Sequence, residues 1–448
     1  VRRAALVALL AASCIHVAPH PIAPADTAAM LEQRTLDATQ TWDLQHLTEA
    51  ALKSHPDLDV ARAHAAVMHA EMLTAAERPN PTVSANVEHK AEPHTNPWIT
   101  TFGFDLPIET ANKRGLRVRE ASEAARAADF AIADQAWQVR SGVRAQLVAY
   151  AAARRSIDIL TRQRALNDEI VDMLEKRVGA GEASAPEATQ ARIAARQTAL
   201  LIRDRTTQAA EARARLAAAI GVPERAVHDV KLVFDIATFP ASLGGADALV
   251  RPRGEAALTR GRADEGVRPS EFRVEALTQR PDILAALAGY AESETALRLE
   301  LAKRYPDLHI APGFGWDQGF ARWALGFNAV APILSRNRGP IAEAEARRKE
   351  SETKLIALQA KIIAALDEAT VRVDEATAKV NETSEVVALD RQRVDQTQKL
   401  FDAGEADRLA LRTAQLELES ALVAQNDAYA DAQAAIGALE DAMQQEIP

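Results

Sequence analysis

Apolar positions recur along this chain with two different periods, and the switch between them divides it into rods and ribbons. Leu355, Leu358, Ile362, Leu366, Ala369, Val373, Ala376 and Val380 step by three and four, and Val387, Val394 and Phe401 continue at sevens. That is the seam of a coiled coil. Ile132, Ala136, Val139, Val143, Leu147 and Tyr150 begin a similar seam that runs less cleanly to Val178. If Lys113 to Val178 is one helix, its rise of about 1.5 Å per residue makes a rod near 100 Å long, too long for a compact globule. Each rod stops at a glycine turn, Val178-Gly179-Ala180-Gly181-Glu182 or Asp402-Ala403-Gly404-Glu405, where glycine supplies the left-handed conformation that ends a helix. Restart signals follow. Ser184 with Glu187 reads as a capping box, Pro186 sits in the first turn, and Asp407 takes the N-cap position in the second half. Leu409, Leu416, Val423 and Ala430 then keep a seven-residue spacing on a returning helix.

Ahead of each rod the period falls to two. Val83, Ala85 and Val87 alternate with Ser84, Asn86 and Glu88, and Phe102, Phe104 and Leu106 alternate with Thr101, Gly103 and Asp105. Later, Ile310, Pro312, Phe314 and Trp316 share a face, and Trp323, Leu325 and Phe327 lie opposite Ala324, Gly326 and Asn328. Each stretch is about ten residues, enough for a tilted membrane strand. Four strands cannot close a membrane barrel, whose smallest members need about eight, so the chain must pool its strands with copies of itself. The other reading of these strands is a soluble antiparallel sheet packed on helices.

The two halves are copies of one plan. Ala51-Leu52-Lys53-Ser54-His55-Pro56-Asp57-Leu58 returns as Ala276-Leu277-Thr278-Gln279-Arg280-Pro281-Asp282-Ile283, with Pro81 and Pro107-Ile108 returning as Pro306 and Pro332-Ile333. Lys113-Arg114-Gly115 is matched to Asn337-Arg338-Gly339, Ala180-Gly181-Glu182 to Ala403-Gly404-Glu405, and Ala219-Ile220-Gly221 to Ala435-Ile436-Gly437. The expected fold is therefore mostly α with membrane β, in two internal repeats of helix, two strands, long helix, turn and helix. The first repeat spans 42–221, with strands near 82–90 and 99–107 and a helical hairpin over 113–220. The second spans 271–440, with strands near 307–316 and 321–331 and a hairpin over 339–438. Residues 222–270, rich in Gly, Pro and Arg, break the repeat and are expected to pack around the waist of the helices.

Composition agrees with rods: 4% of the 448 residues are aromatic, and alanine recurs throughout. A net charge of −10 without a concentrated basic surface argues against a nucleic-acid partner. No apolar run after the N-terminus is long enough for a membrane helix. Arg2, Arg3 and the apolar stretch Ala4 to Ala12 read as an export signal over 1–13, ending Ala11-Ala12-Ser13-Cys14. Small residues before the sole cysteine resemble a lipobox, although alanine stands where leucine is usual. Cys14 would then carry lipid, and 14–41 would be an extended tether; ordinary cleavage leaves the protein exported without the anchor.

Leu106-Pro107-Ile108-Glu109 with Lys113-Arg114, and Ala331-Pro332-Ile333-Leu334-Ser335-Arg336-Asn337-Arg338-Gly339, resemble the segments that leave the barrel in the TolC-like outer-membrane factor family. The second is similar to the branch serving heavy-metal and other resistance-nodulation-division (RND) pumps. The resemblance runs from about Leu47 to Ala438. It implies a homotrimer in the cell outer membrane: one twelve-stranded β-barrel continued by an α-helical coiled-coil barrel into the periplasm. Such a channel is the exit duct of a tripartite efflux pump, working with a periplasmic adaptor protein and an inner-membrane RND-type transporter. The family's adaptor contact carries over to the tips, Gly179, Gly181, Glu182 and Ser184 with Gly404, Glu405 and Asp407. These same residues also read as plain turn and capping chemistry.

Asp390 and Asp395 are candidates for a constriction, because threefold repetition turns one carboxylate into three facing a lumen; most coiled-coil charges are simply solvated. His64, Met68 and Met72 lie four apart on one helix, a pattern that fits core packing better than soft metal ligands, and His89 with His94 lacks a third ligand. No catalytic constellation or phosphate loop appears, so neither an enzyme nor a cofactor is expected. A periplasmic coiled-coil scaffold lipoprotein explains the rods but not the paired strands. An outer-membrane channel of a type I protein-secretion system fits the same pattern, because the inner-membrane partner selects the cargo.

Overall fold

The computed structural model describes residues 18–89, 98–239, 271–317, 319–330, 332 and 334–447. Cys14 and the export signal lie outside the described residues, as do His94 and positions 240–270 of the segment between the repeats. In chain order the first part holds α1 (Pro24–Glu32), β1 (Thr41–Trp42), α2 (Leu44–Ser54), α3 (Pro56–Ala76), β2 (Thr82–His89), β3 (Trp98–Ile108), α4 (Lys113–Gly179) and α5 (Ala185–Ile220). A short α6 (Arg225–His228) and β4 (Lys231–Leu232) follow. The second part holds α7 (Glu271–Thr278), α8 (Pro281–Ala302), β5 (Leu308–Asp317), β6 (Phe320–Ala329), α9 (Arg338–Asp402) and α10 (Arg408–Met443). No helix among the described residues is long and apolar enough to cross a membrane.

The repeat is visible in the helix starts: α3 and α8 each open on a proline, Pro56 and Pro281, at the position where the missing N–H costs nothing. One match needs correction. The geometry aligns Asn112 with Asn337, not Lys113 with Asn337, because both asparagines sit in the left-handed region at φ 57° and 56° just before α4 and α9. The residue before each, Ala111 at φ 54° and Arg336 at φ 49°, shares that conformation. The Arg-Gly pair suggested a register one residue out.

The long helices, of 67 and 65 residues, are each about 100 Å at 1.5 Å per residue, and each folds back on a helix of 36 residues. The predicted seam is the buried one: Ile362, Leu366, Ala369, Val373 and Ala376 pack with Ala432, Ala435, Ile436 and Leu439 of α10. Val139, Val143 and Leu147 pack with Leu216, Ala217 and Ile220 of α5, and with Leu47 and Leu58 of α2 and α3. Buried polar pairs punctuate these seams. Asn167 donates to Thr198 at 3.1 Å within the first hairpin, Gln425 to Ser384 at 3.0 Å within the second, and Asn426 to Ser156 at 2.8 Å between the two. A slide of one turn would leave each group buried without its partner, so they fix the register of otherwise similar alanine-rich surfaces.

α4 and α10 carry a second polar seam nearer the sheet end. Arg144, 7% exposed, donates to the Gln433 carbonyl at 2.8 Å and lies 3.4 Å from Glu440, while Trp137 and Ser141 both donate to Asp441. This seam explains why matched sequences end differently. In Ala219-Ile220-Gly221 the glycine takes φ 85° and stops α5, helped by Pro223; in Ala435-Ile436-Gly437 the helix runs on to Met443. A Cβ on Gly437 would lie 2.1 Å from Arg144 Nη1, so this glycine is a gap for the arginine and not a stop.

The stretch read as an extended tether contains α1 and is pinned at its end. Ala-Ala-Met-Leu-Glu are good helix formers behind Pro24, and Asp26 favours the first turn. Arg34 then donates to the carbonyls of Ser54 and Gly221 at 2.5 and 2.8 Å, and β1 pairs in parallel with β4. From 222 to 239 the chain crosses α10, where Gln433 donates to the carbonyls of Ile236 and Thr238.

Leu366→Ala, at a fully buried seam position, should cost about 2–5 kcal/mol, read as a lowered thermal unfolding midpoint of the purified protein; an unchanged midpoint would remove this seam from the core. Gly221→Ala should destabilise by more than about 1 kcal/mol, since its Cβ would meet the Ser54 carbonyl oxygen at 2.8 Å at a positive φ.

Candidate functional site

Two regions stand out: a sheet with one apolar face and two open edges, and the far ends of the helical hairpins. The sheet is antiparallel in the order β2-β3-β5-β6, so the two repeats meet along β3 and β5. Register places most bulky apolar residues on one side, the exceptions being Ile99 and Phe320, which share the row of Asp317 at the end of the sheet. Ala85, Phe102, Phe314 and Trp323 form one row across the strands, and the Phe314 and Trp323 rings meet at a tilt with their centres 4.9 Å apart. The neighbouring rows, Ser84-Gly103-Gly313-Ala324 and Asn86-Thr101-Gly315-Arg322, alternate to the other side. Because side chains alternate strictly, slipping any strand by one residue would put its apolar set among polar ones.

The apolar side is uncovered. Trp323 is 83% exposed and Phe327 71%, and Val83, Val87, Phe102, Leu106, Trp316 and Leu325 are exposed as well. Each large side chain left in water forgoes about 1.5–3 kcal/mol of burial. The opposite side carries polar contacts instead: His309 Nδ1 lies 3.0 Å from Asp105, and Arg322 pairs with Asp317 at 3.3 Å. Among the described residues nothing pairs with the outer edges of β2 and β6.

The passage from sheet to helices is tied. Asp307 accepts from the Thr110 backbone N–H and from the buried Lys113 Nζ, both at 2.8 Å, and Lys113 also donates to the Tyr305 carbonyl. Asn337 donates to Glu300 through its carbonyl and its carboxylate, at 2.7 and 2.9 Å. These contacts hold the paired left-handed residues, whose strain at the non-glycine Ala111 and Arg336 is of order 1–2 kcal/mol each.

At the far end both long helices close with the same motif. Gly181 (φ 76°) donates to Val178 O and Glu182 to Arg177 O; Gly404 (φ 79°) donates to Phe401 O and Glu405 to Leu400 O. Gly179 is the last residue of α4, and Gly179, Gly181, Glu182, Ser184, Gly404, Glu405 and Asp407 are all exposed. Asp407 caps α10 by accepting from Ala410 N at 2.8 Å. Ser184 does not complete the expected capping box: its hydroxyl donates to the Glu187 carboxylate at 2.9 Å, which leaves the backbone donors of α5 uncapped.

The two tips are joined through a residue that turn chemistry did not single out. Arg177 Nη2 lies 2.6 Å from Asp407 Oδ2, so the end of the first hairpin is clamped to the start of α10. Arg412 Nε approaches Glu169 at 2.7 Å as an ion pair without hydrogen-bond geometry, and Leu409 and Leu416 pack against Ile170, Leu174 and Ala188. The Arg177 hydrogen bond, then the Ala410 N–H, hold the Asp407 carboxyl below the usual carboxylate range. Arg177 is a basic last-turn residue in its own helix, a signal that pointed to the helix dipole and not to a partner 230 residues away.

Asp390 and Asp395 are not brought together. Five residues apart on α9, they point about 140° away from each other; Asp390 is half-buried, Asp395 exposed, and neither has an ion pair among the described residues. On α3 His64 is exposed while Met68 and Met72 are half-buried, and His89 meets Trp98 edge to face with ring centres 4.8 Å apart. No group of three or more His, Cys, Asp or Glu among the described residues could hold a metal ion.

Residues 47–222 match the model of the family described as Outer membrane efflux protein. The chain is 22% identical over 282 residues to the cobalt-zinc-cadmium resistance protein CzcC of Cupriavidus metallidurans, a match covering 62% of this chain and 60% of that relative's length. Solved structures of similar fold include the outer-membrane channel OprN, with a TM-score of 0.70 at 16% identity over 89% of both chains. The outer membrane protein VceC from Vibrio cholerae gives 0.68 at 18% identity, over 90% of this chain and 97% of the other. CusC, also at 0.68 and 16%, is covered over 92% of its length and 90% of this chain. At these identities the likeness to solved structures is one of fold. Residues 47–222 are thus similar to the outer membrane efflux protein family, and the chain as a whole shares the architecture of these solved structures.

Proposed function

We propose that the protein is the exit duct of a tripartite efflux pump, a homotrimeric channel that crosses the cell outer membrane and extends into the periplasm. The observation that carries this reading is the four-stranded sheet, with a bare apolar face, a largely polar opposite face and two edges unpaired among the described residues, mounted on helical hairpins about 100 Å long. Three copies supply twelve strands, β6 of one pairing with β2 of the next, so that apolar side chains meet lipid and polar ones line water. A coiled-coil scaffold lipoprotein would leave that face and those edges without a purpose.

In this reading the duct conducts passively, and the driving force belongs to an inner-membrane RND-type transporter. Metal ions or small toxic compounds are the proposed cargo, and the metal reading draws on the name of the CzcC relative. A periplasmic adaptor would dock on the tips, at Gly179, Gly181, Glu182 and Ser184 and at Gly404, Glu405 and Asp407, whose shared Schellman geometry offers it two similar knobs per protomer. Asp390 and Asp395 serve as candidates for a narrowing of the lumen, and their separation around α9 makes one of them at most a lumen residue. Cys14 is the proposed lipid attachment.

Purified in detergent and added to a planar bilayer, the protein should run as a trimer and open discrete ion-conducting levels. A stable monomer without conductance would sink the channel reading. At the tips, Arg177→Gln removes the clamp but leaves the Asp407 cap, so the spin-label distance between positions 182 and 405 should broaden; an unchanged distribution would deny the clamp its role. Because the folded carboxyl is depressed, its contribution is present above the ordinary carboxylate range and is lost only as pH falls through the lowered value, so the wild-type distance should hold at about pH 5.

A further inference from the structure

Where α8 hands the chain to β5, a groove opens against the start of α4, and its two halves differ in polarity. The sheet-side half, about 480 Å³, is walled by Tyr305, Pro306 and Leu308. The helix-side half, about 550 Å³, shares Tyr305 and adds Leu116 and Leu301 together with Arg298 and Arg304. Tyr305 is 64% exposed, Leu308 50% and Leu301 40%, so the apolar wall stands open. Arg304 has no side-chain hydrogen bond or ion pair among the described residues. Among the described residues Arg298 is engaged only by the half-buried Glu294 one turn earlier, at 2.5 Å, and Arg298 itself is exposed, so the pairing is worth little.

We infer that this groove holds an anionic phospholipid, one per protomer, from the membrane leaflet on the helix side of the sheet. Along the axis of the molecule the groove passes from apolar at the sheet to cationic at the helices, which is the order of acyl chain and headgroup in a lipid of that leaflet. Leu308 begins the strand whose apolar residues form the bare face, so an acyl chain lying on that face continues into the groove without a break. Guanidinium groups bind phosphate through several donors at once, and Arg304 lacks a competing carboxylate. Tyr305 suits the position too, since an aromatic ring with a polar tip settles at the level of headgroups. A neutral lipid would leave the charge of Arg304 unanswered, which is why the occupant carries a net negative headgroup. The inference rests on the membrane reading of the sheet proposed above.

The test reconstitutes the whole trimer in nanodiscs of mixed phosphatidylglycerol and phosphatidylcholine and counts retained lipids by native mass spectrometry. The wild type should keep phosphatidylglycerol in preference to phosphatidylcholine, near one per protomer. Arg298→Gln and Arg304→Gln should each lower that retention about fivefold. Leu301→Trp, which fills the groove and keeps both charges, should lower it as well, whereas Arg347→Gln, exposed on α9, should leave it unchanged. Equal retention of the two lipids by the wild type, or undiminished phosphatidylglycerol in the Arg298 and Arg304 variants, would overturn the site while leaving the channel reading intact. Dissociation of those variants into monomers with an unchanged lipid count would assign the groove to a subunit contact and overturn it equally. Failure of every protein, wild type included, to enter nanodiscs would remove both the site and the membrane reading beneath it.

Discussion

Backbone hydrogen bonding at the edges of the sheet is the constraint from which the rest follows. β2 and β6 each present a row of N–H and C=O groups with no partner among the described residues, beside a face whose tryptophans and phenylalanines stand bare. In water such an edge invites uncontrolled pairing; in hydrocarbon each unpaired group costs several kcal/mol. Only closure against another edge satisfies both the backbone and the apolar face. In the channel proposed above, identical copies provide that edge, with β6 of one antiparallel to β2 of the next around a closed ring.

The helices must deliver the four strands side by side, which explains the cost accepted at the junctions. Two left-handed residues in succession precede each long helix, and contacts from Asp307, Lys113, Glu300 and Asn337 pay for the strain. Below, alanine-rich surfaces pack closely but carry little information about register. Asn167–Thr198, Gln425–Ser384, Ser156–Asn426 and the Arg144–Glu440 seam supply it. The same logic turns Gly437 from a helix stop into a clearance for Arg144.

Much of this was legible in the sequence because it is periodic. The seven-residue spacing from Leu355 onward and the alternation around Phe102 and Trp323 announced rods and ribbons in two copies, which is the architecture observed. Contacts between distant residues were not legible. Nothing near Arg177 points to Asp407, and nothing near Arg144 points to Glu440, because such pairs depend on how α4 and α10 lie together. Local signals also misled where two readings compete. Ser184 and Glu187 fit a capping box yet bond to each other, and the Arg-Gly match hid the asparagines that set the junction conformation. The alanine-rich start read as a tether, although helix propensity and Arg34 order part of it.

Amide hydrogen exchange along the sheet, measured on the purified protein in a lipid bilayer, tests the central idea most directly. If β6 of one copy pairs with β2 of the next, the outward amides of Thr82–His89 and Phe320–Ala329 will be as protected as those of β3 between its two neighbours. Exchange of those edge amides at the rate of open loops, with β3 and β5 still protected, would mean that the sheet stays open and that no shared barrel forms.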